Sequence, residues 1–496
     1  RLRHACGVKS PCLYWPRQHI HRAWELMTKT AMKKILAVAL LSLSFAGCTV
    51  GPRYKRPAVD VPAAHRGVEE ENAGKTEAAS LADQKWWEVF QDPQLQQLIR
   101  TAIEQNYDVR IAAARILEAQ AQLGITRADE FPQVNAGATS DVQRIPAQPA
   151  LPVATNGSAT QLSVSAAWNL DFWGRFRRAT EAARANLLAS EWAKQQVIST
   201  LVSNVATAYF QLRELDLELE ISKQTLASRR DSLKLTQLLA DHGATSLLDV
   251  RQAEQLVYTA GEQVPDLERR IQQQENLIST LLGQNPGTVA RGLKLTEQPH
   301  LPQVPAGLPS ALLERRPDIR QAEEQLVSFN AQVGVARAAY FPQITLTGDA
   351  GYQSSALGSL FSSPAGFFSF GGALTQPLFA GGRIRSGVRL AEAQKEEAVL
   401  TYKRTIQQAF QDVSDSLIAY EKDQEFRQQQ QLLTKAAQDA ANLSDVRYKG
   451  GATSYLEVLT NQTNYFSAQL NLAQAQLNEL NALVQLYRSL GGGWQQ

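Results

Sequence analysis

Sulfur is scarce in this chain: three cysteines and two methionines among 496 residues. Cys6, Cys12, Met27 and Met32 all fall within the first 47 positions, so Cys48 is the last sulfur-bearing residue. No internal disulfide can form beyond it. The soft ligands that a Cu(I) or Ag(I) centre requires are missing as well, and no metal site is assigned. Histidine is equally thin: His65, His242 and His300 lie too far apart to suggest a catalytic or ligand set. No G-x-S-x-G, P-loop or H-E-x-x-H pattern occurs, so the chain does not read as an enzyme, and no catalytic residue or cofactor is assigned. Charge bias is absent too. Beyond position 47 there are 42 Lys+Arg against 47 Asp+Glu, a formal charge of −5, which gives no reason to expect nucleic acid as a partner.

What is present begins with an address. Residues 1–47 read as an upstream leader plus a signal peptide, Met32 to Gly47. Lys33-Lys34 precede an apolar run from Ile35 to Phe45, too short to span a bilayer, and Ala46-Gly47-Cys48 follow. This ending resembles a lipobox, which makes Cys48 the expected lipidation site. Thr49, in place of the Asp that marks inner-membrane retention, favours delivery to the outer membrane. A lipid chain alone is a modest anchor.

The chain is also built twice. Asp108-Val109-Arg110 returns as Asp318-Ile319-Arg320 and Phe131-Pro132-Gln133 as Phe341-Pro342-Gln343, 210 positions apart. Gly243-Ala244-Thr245-Ser246 returns as Gly451-Ala452-Thr453-Ser454, 208 apart. A unit this long is a duplicated half-domain, not a solenoid repeat. The expected layout is an N-terminal lipidated segment over 48–95, a first repeat over 96–305, a second over 306–490 and a tail over 491–496.

Each repeat holds two segments of period-two patterning, about 133–173 and about 343–379. Leu162, Val164, Ala166, Trp168, Leu170 and Phe172 share one face, with Ser163, Ser165, Asn169 and Asp171 on the other. Val134, Ala136 and Ala138, then Ile344, Leu346, Ala350 and Tyr352, then a run from Phe368 to Thr375, continue the pattern. Strands of about ten residues, apolar outside and polar inside, are what a transmembrane barrel requires. The stretches Ile145–Thr160 and Ser354–Phe367 read as extracellular loops. Four strands cannot close on themselves, so copies must combine. Two would give eight strands and a filled interior, three would give twelve and room for a pore.

The rest is rich in helix formers. No proline or glycine occurs between Arg175 and Asp241, where Val202, Val205, Tyr209, Leu212, Leu215 and Leu219 recur at steps of three and four. This predicts a helix over 175–241 and its equivalent over 383–449, each about 100 Å long. Returning helices are expected over 247–282 and 455–490, with a kink or break at Pro265. Such lengths need neighbours throughout, as in a coiled-coil array.

Several motifs together resemble the TolC-like outer-membrane efflux proteins, in particular the OprM-type lipoprotein branch. They are Cys48 with Gly51-Pro52-Arg53-Tyr54, Trp86-Trp87, Asp92-Pro93-Gln94-Leu95, Asp171-Phe172-Trp173-Gly174-Arg175, Arg315-Arg316-Pro317-Asp318 and Gly381-Gly382-Arg383. The resemblance covers Cys48–Gln496 and implies an α+β membrane protein. In it, a homotrimer forms a twelve-stranded β-barrel continued by a long antiparallel helical tunnel through the periplasm. It implies a lipid-anchored, gated passive conduit in the outer membrane that exports drugs or other small toxic compounds. Its partners would be a periplasmic adaptor (membrane fusion) protein, an inner-membrane pump of the RND type and outer-membrane lipid. By motif position, the resemblance puts Asp249 and Tyr448 face to face in a periplasmic gate and Glu457 at the narrowest point. Three-fold symmetry would there make a ring of carboxylates favouring cations. Thr453 and Thr460 stand where relatives place further charged residues. Gly243, Ala244, Thr245, Ser246, Gly451, Ala452, Thr453 and Ser454 form the tips expected to dock the adaptor. Metal-ion efflux or type I protein secretion through the same tube are the alternatives, and a non-conducting envelope-spanning lipoprotein is the alternative of a different class.

Overall fold

The computed structural model describes residues 49–62, 64–66, 80–146, 155–299 and 307–495. Cys48 and the signal segment lie outside the described residues. The chain divides into two compact units. One is built from Glu130–Arg178 and Gly334–Ala380 with the described residues up to Gly51, the other from Pro52–Asp129, Ala179–Val333 and Gly381–Gln496.

The first unit is a single antiparallel sheet of β1 (Gln133–Ile145), β2 (Thr155–Leu170), β3 (Gln343–Ser354) and β4 (Gly366–Thr375), in that order. Opposed residues in a ladder share a face. The register pairs Ala136 with Val164, Leu162 with Tyr352, and Ala350 with Phe368, so the apolar sets of all four strands fall on one continuous side. Val164, Phe368, Phe370 and Leu374 on that side are exposed.

Two expectations are corrected. β2 ends at Leu170, so Phe172 is not on its apolar face. There Asp171 turns away from the sheet to accept from the backbone N–H of Arg177 at 2.9 Å, and the strand gives way to a helix start. Ile145–Thr160 is not a loop throughout. β1 and β2 remain paired from Asp141↔Ala159 to Ile145↔Thr155, beyond the last β2–β3 pair, Thr160↔Ser354. Polar side chains do not prevent a two-stranded ladder when the backbone can pair and threonines favour extended geometry.

The base of the sheet unit explains one of the motif glycines, Gly174. Trp173 stacks on Phe341 at 4.7 Å and donates from Nε1 to the carbonyl of Pro342 at 2.8 Å, tying the two repeats together. Val50 donates its N–H to the carbonyl of Trp173 at 3.0 Å. The incoming segment passes so close that a Cβ on Gly174, whose φ is +77°, would lie 2.8 Å from Thr49.

In the helical unit, α1 (Trp86–Val89) and α2 (Pro93–Gln105) precede α3 (Tyr107–Ala128), α4 (Arg175–Asp241) and α5 (Leu247–Leu281). α6 (Leu312–Arg315), α7 (Pro317–Ala338), α8 (Arg383–Lys449) and α9 (Tyr455–Ser489) follow. The duplication is exact in length: 22 residues for α3 and α7, 67 for α4 and α8, 35 for α5 and α9. None of these helices is long and apolar enough to cross a membrane. α5 runs through Pro265 without a break, so of the expected kink or break the break does not occur. The residue four before it, where a proline ring crowds the carbonyl, is Gly261.

The main core gathers at the middle of α4. Ile198, Val202, Val205, Tyr209 and Leu212 pack there with Trp86, Phe90, Leu95 and Ile99 from the N-terminal helices and Leu483 and Tyr487 from α9. Within it sits a carboxylate, Asp92, with no exposed surface. It caps α2 by accepting from the N–H of Gln94 at 2.9 Å. Its other oxygen accepts from Tyr209 Oη at 2.8 Å, Leu293 N at 2.9 Å and Gln298 Nε2 at 3.0 Å. A buried anion persists only when donors surround it in this way. Asp92→Ala strands those donors and is expected to cost about 3 kcal/mol, against about 1–2 kcal/mol for Tyr209→Phe, measured by denaturant titration with tryptophan fluorescence.

Candidate gate and docking site at the hairpin tips

Each long helix stops because a glycine takes the left-handed conformation one residue past its end, after the C-cap. Gly243 has φ +73° and Gly451 φ +72°. At the first tip Ala244 N donates to Leu239 O at 2.8 Å and Gly243 N to Ala240 O at 2.9 Å. At the second, Ala452 N reaches Arg447 O and Gly451 N reaches Tyr448 O, both at 2.9 Å. Both ends are therefore Schellman motifs. No atom crowds the missing Cβ of either glycine, so the backbone angle alone selects glycine there.

The returning helices start with matching local chemistry. The Thr245 hydroxyl donates to the Asp249 carboxylate, and Thr453 does the same for Glu457. Asp249 completes a capping box: its Oδ2 accepts from Ser246 N at 3.2 Å, and Ser246 Oγ accepts from Asp249 N at 3.3 Å. These donors, Thr245 foremost, hold the Asp249 carboxyl below the usual carboxylate range. At the second tip Ser454 makes no equivalent side-chain cap, and Glu457 instead accepts from Arg447 Nη1 at 3.1 Å.

Tyr448 is placed differently from what its assigned role implies. Within the protomer it does not meet the Asp249 carboxylate, which is occupied by its own turn. Its ring packs on Tyr455 at 5.3 Å, and its buried hydroxyl has no hydrogen-bond partner among the described residues. Tyr455 was not anticipated from the sequence, yet it is the anchor. With Ala253 and Val458 it forms a small core that also takes in Leu233, Tyr448 and Leu459, so all four long helices meet there. Hydrogen bonding to Ser232 and Thr236 of α4 fixes its hydroxyl, and burial raises its pKa. Its sequence signal was the apolar residue at the equivalent position, Leu247. Glu457 pairs with the Arg447 guanidinium at 3.1 Å. Thr460 spends its hydroxyl on the carbonyl of Leu456 at 2.9 Å.

Around the tips, Leu247 and Leu248 are 67% and 64% exposed, and Leu456 57%. Apolar side chains at solvent-facing positions on two matching turns are what a docking surface offers.

The sequence model described as "Outer membrane efflux protein" matches twice, over residues 98–284 and 308–492, once per repeat. A probable efflux pump outer membrane protein, TtgC of Pseudomonas putida, is 38% identical over 468 residues, covering 93% of this chain and 96% of that protein. The outer membrane protein OprJ of Pseudomonas aeruginosa is 36% identical, with 92% and 96% covered. Among solved structures, the outer-membrane channel OprN matches with TM-score 0.84 and 32% identity, over 90% of this chain and all of that one. The open state of the MtrE outer membrane channel of Neisseria gonorrhoeae matches with TM-score 0.82 and 30% identity, over 90% and 99%.

The depressed Asp249 carboxyl sets a pH dependence of known sign. The first capping box is fully formed above the ordinary carboxylate range and is lost as pH falls through the lower folded value. Protection factors at residues 247–250, corrected for the intrinsic pH dependence of exchange, are expected to fall in acid, and Asp249→Asn to remove that fall. With two duplicate matches, relatives alike from end to end and a shared fold, the chain belongs to the outer membrane efflux protein family.

Proposed function

We propose that this chain is the outer-membrane channel component of a tripartite efflux system, a passive gated conduit assembled from three copies. The carrying observation is the open sheet. β1 and β4 each leave one edge without a partner in the sheet, and one whole face of the sheet is apolar and exposed. An unpaired edge in hydrocarbon costs several kcal/mol per backbone group, so a lipid-facing sheet must close. With an even number of strands, β1 and β4 run in opposite directions, and β4 of one copy can continue antiparallel into β1 of the next. Three copies supply twelve strands and an aqueous lumen, where two would leave a filled interior.

Relatives named for toluene and antibiotic efflux support small toxic compounds as the cargo. The tips at 243–246 and 451–454 are the proposed docking points for a periplasmic adaptor that connects to an RND-type inner-membrane pump. Cys48 is the proposed lipid attachment.

Asp249, Tyr448 and Glu457 are the proposed gate. The Tyr448 hydroxyl lacks a partner among the described residues, which costs about 1–3 kcal/mol while it stays buried. A tip movement that brings an acid to it recovers that energy but takes the acid from its capping box. At the constriction, each Glu457 enters a three-fold ring already paired with Arg447, which weakens the cation preference that bare carboxylates would give.

Single-channel recording in planar bilayers tests this reading. Wild type is expected to show small, flickering conductance, and Asp249→Ala or Tyr448→Phe to raise it several-fold. Unchanged conductance in both variants would move the gate elsewhere, and a folded, inserted protein that never conducts would leave the structural-lipoprotein reading. In a salt gradient, Arg447→Ala is expected to shift the reversal potential toward cation selectivity, and Glu457→Gln to shift it the other way.

A further inference from the structure

Between α4 on one side and α8 and α9 on the other lies a cavity of about 600 Å³. Ser228, Arg229 and Ser232 of α4 line it, as do Tyr465, Phe466 and Gln469 of α9. Its volume falls in the range of sites for small organic molecules. Arg229 is 3% exposed. Its Nη1 donates to the carbonyl of Leu256 at 2.9 Å, and the guanidinium lies 5.0 Å from the ring centre of Phe466. The Nε–H is buried and has no acceptor among the described residues.

Two other buried arginines face carboxylates: Arg316 meets Asp318 at 2.7 Å and Asp412 at 3.0 Å, and Arg213 meets Asp216 at 2.6 Å. Arg229 has no carboxylate opposite it among the described residues. The acids near the cavity are already engaged, Asp231 with Lys234 at 3.0 Å and Asp445 with Lys449 at 2.6 Å. Burial pushes the Arg229 guanidinium pKa down, the sign of a cation without compensation. The duplication does not demand this residue, since position 437, 208 further on, is alanine. An uncompensated buried guanidinium is costly, and guanidinium N–H donors are suited to a carboxylate.

We propose that this cavity binds a small organic carboxylate, its anionic group on the Arg229 guanidinium and its body against Tyr465 and Phe466. The Ser228 hydroxyl supplies a further donor. An occupant touches α4 and α9 at once and so links the first helical hairpin to the second.

Fluorine NMR on the full-length protein in nanodiscs tests the site, with 4-fluorobenzoate as probe and neutral 4-fluorobenzamide as control for partitioning into lipid. Saturable broadening is expected for the acid and not for the amide. Arg229→Met is expected to weaken binding at least tenfold, and Arg229→Lys to weaken it less, since charge remains while the fork is lost. Ser228→Trp, at an exposed position that keeps the Arg229 charge, should abolish binding by filling the cavity, and it decides the matter if Arg229→Met does not fold. Three results would each overturn the proposal. They are no saturable binding by wild type up to about 10 mM acid, equal binding of the amide, or binding undiminished in Arg229→Met or Ser228→Trp.

Discussion

The unpaired outer edges of β1 and β4 are the constraint on which this protein rests. A four-stranded sheet with one apolar face has nowhere stable to be as a single copy. In water it exposes Phe368, Phe370 and Leu374, and in lipid it exposes backbone N–H and C=O groups. Closure with further copies answers both problems at once. The antiparallel, even-numbered order of the strands is what permits the same edge-to-edge join to repeat.

Duplication supplies the parts in matched pairs, and the differences between the pairs carry specificity. Thr245 with Asp249 and Thr453 with Glu457 repeat one local device, a hydroxyl that holds the acid at the start of a return helix. The second copy adds Arg447 and drops the serine cap, so equivalent acids end with unequal charge environments. Arg229 against Ala437 is the same kind of divergence. The proposed gate and docking tips, built from near-equal halves, thus share one backbone while differing in their side-chain contacts.

Most of the architecture was legible because it rests on periodicity. Alternation of two assigned the apolar side of the strands, and the ladder register bore it out across all four. Steps of three and four from Val202 to Leu215 marked the buried stripe of a long helix, and those residues are in the core. The failures have physical causes too. The hairpin beyond Thr160 reads as loop because its residues are polar, although ladder pairing is a backbone property. Pro265 reads as a kink or break, yet the helix runs through it with Gly261 one turn before. Tyr455 was overlooked at the tips because its value comes from Ser232, Thr236 and Tyr448, which lie on other helices.

By itself, then, the sequence determined the kind and order of the elements, the family and the places where the chain turns. These depend on local backbone preference and on patterns only a few residues long. The tertiary structure alone decided which polar groups are satisfied. Asp92 collects donors as far away as Gln298, 206 positions along the chain. Glu457 gains an arginine, and among the described residues the Tyr448 hydroxyl and the Arg229 Nε–H have no partner. Such pairings are set by the three-dimensional approach of distant side chains, and no period in the sequence encodes them.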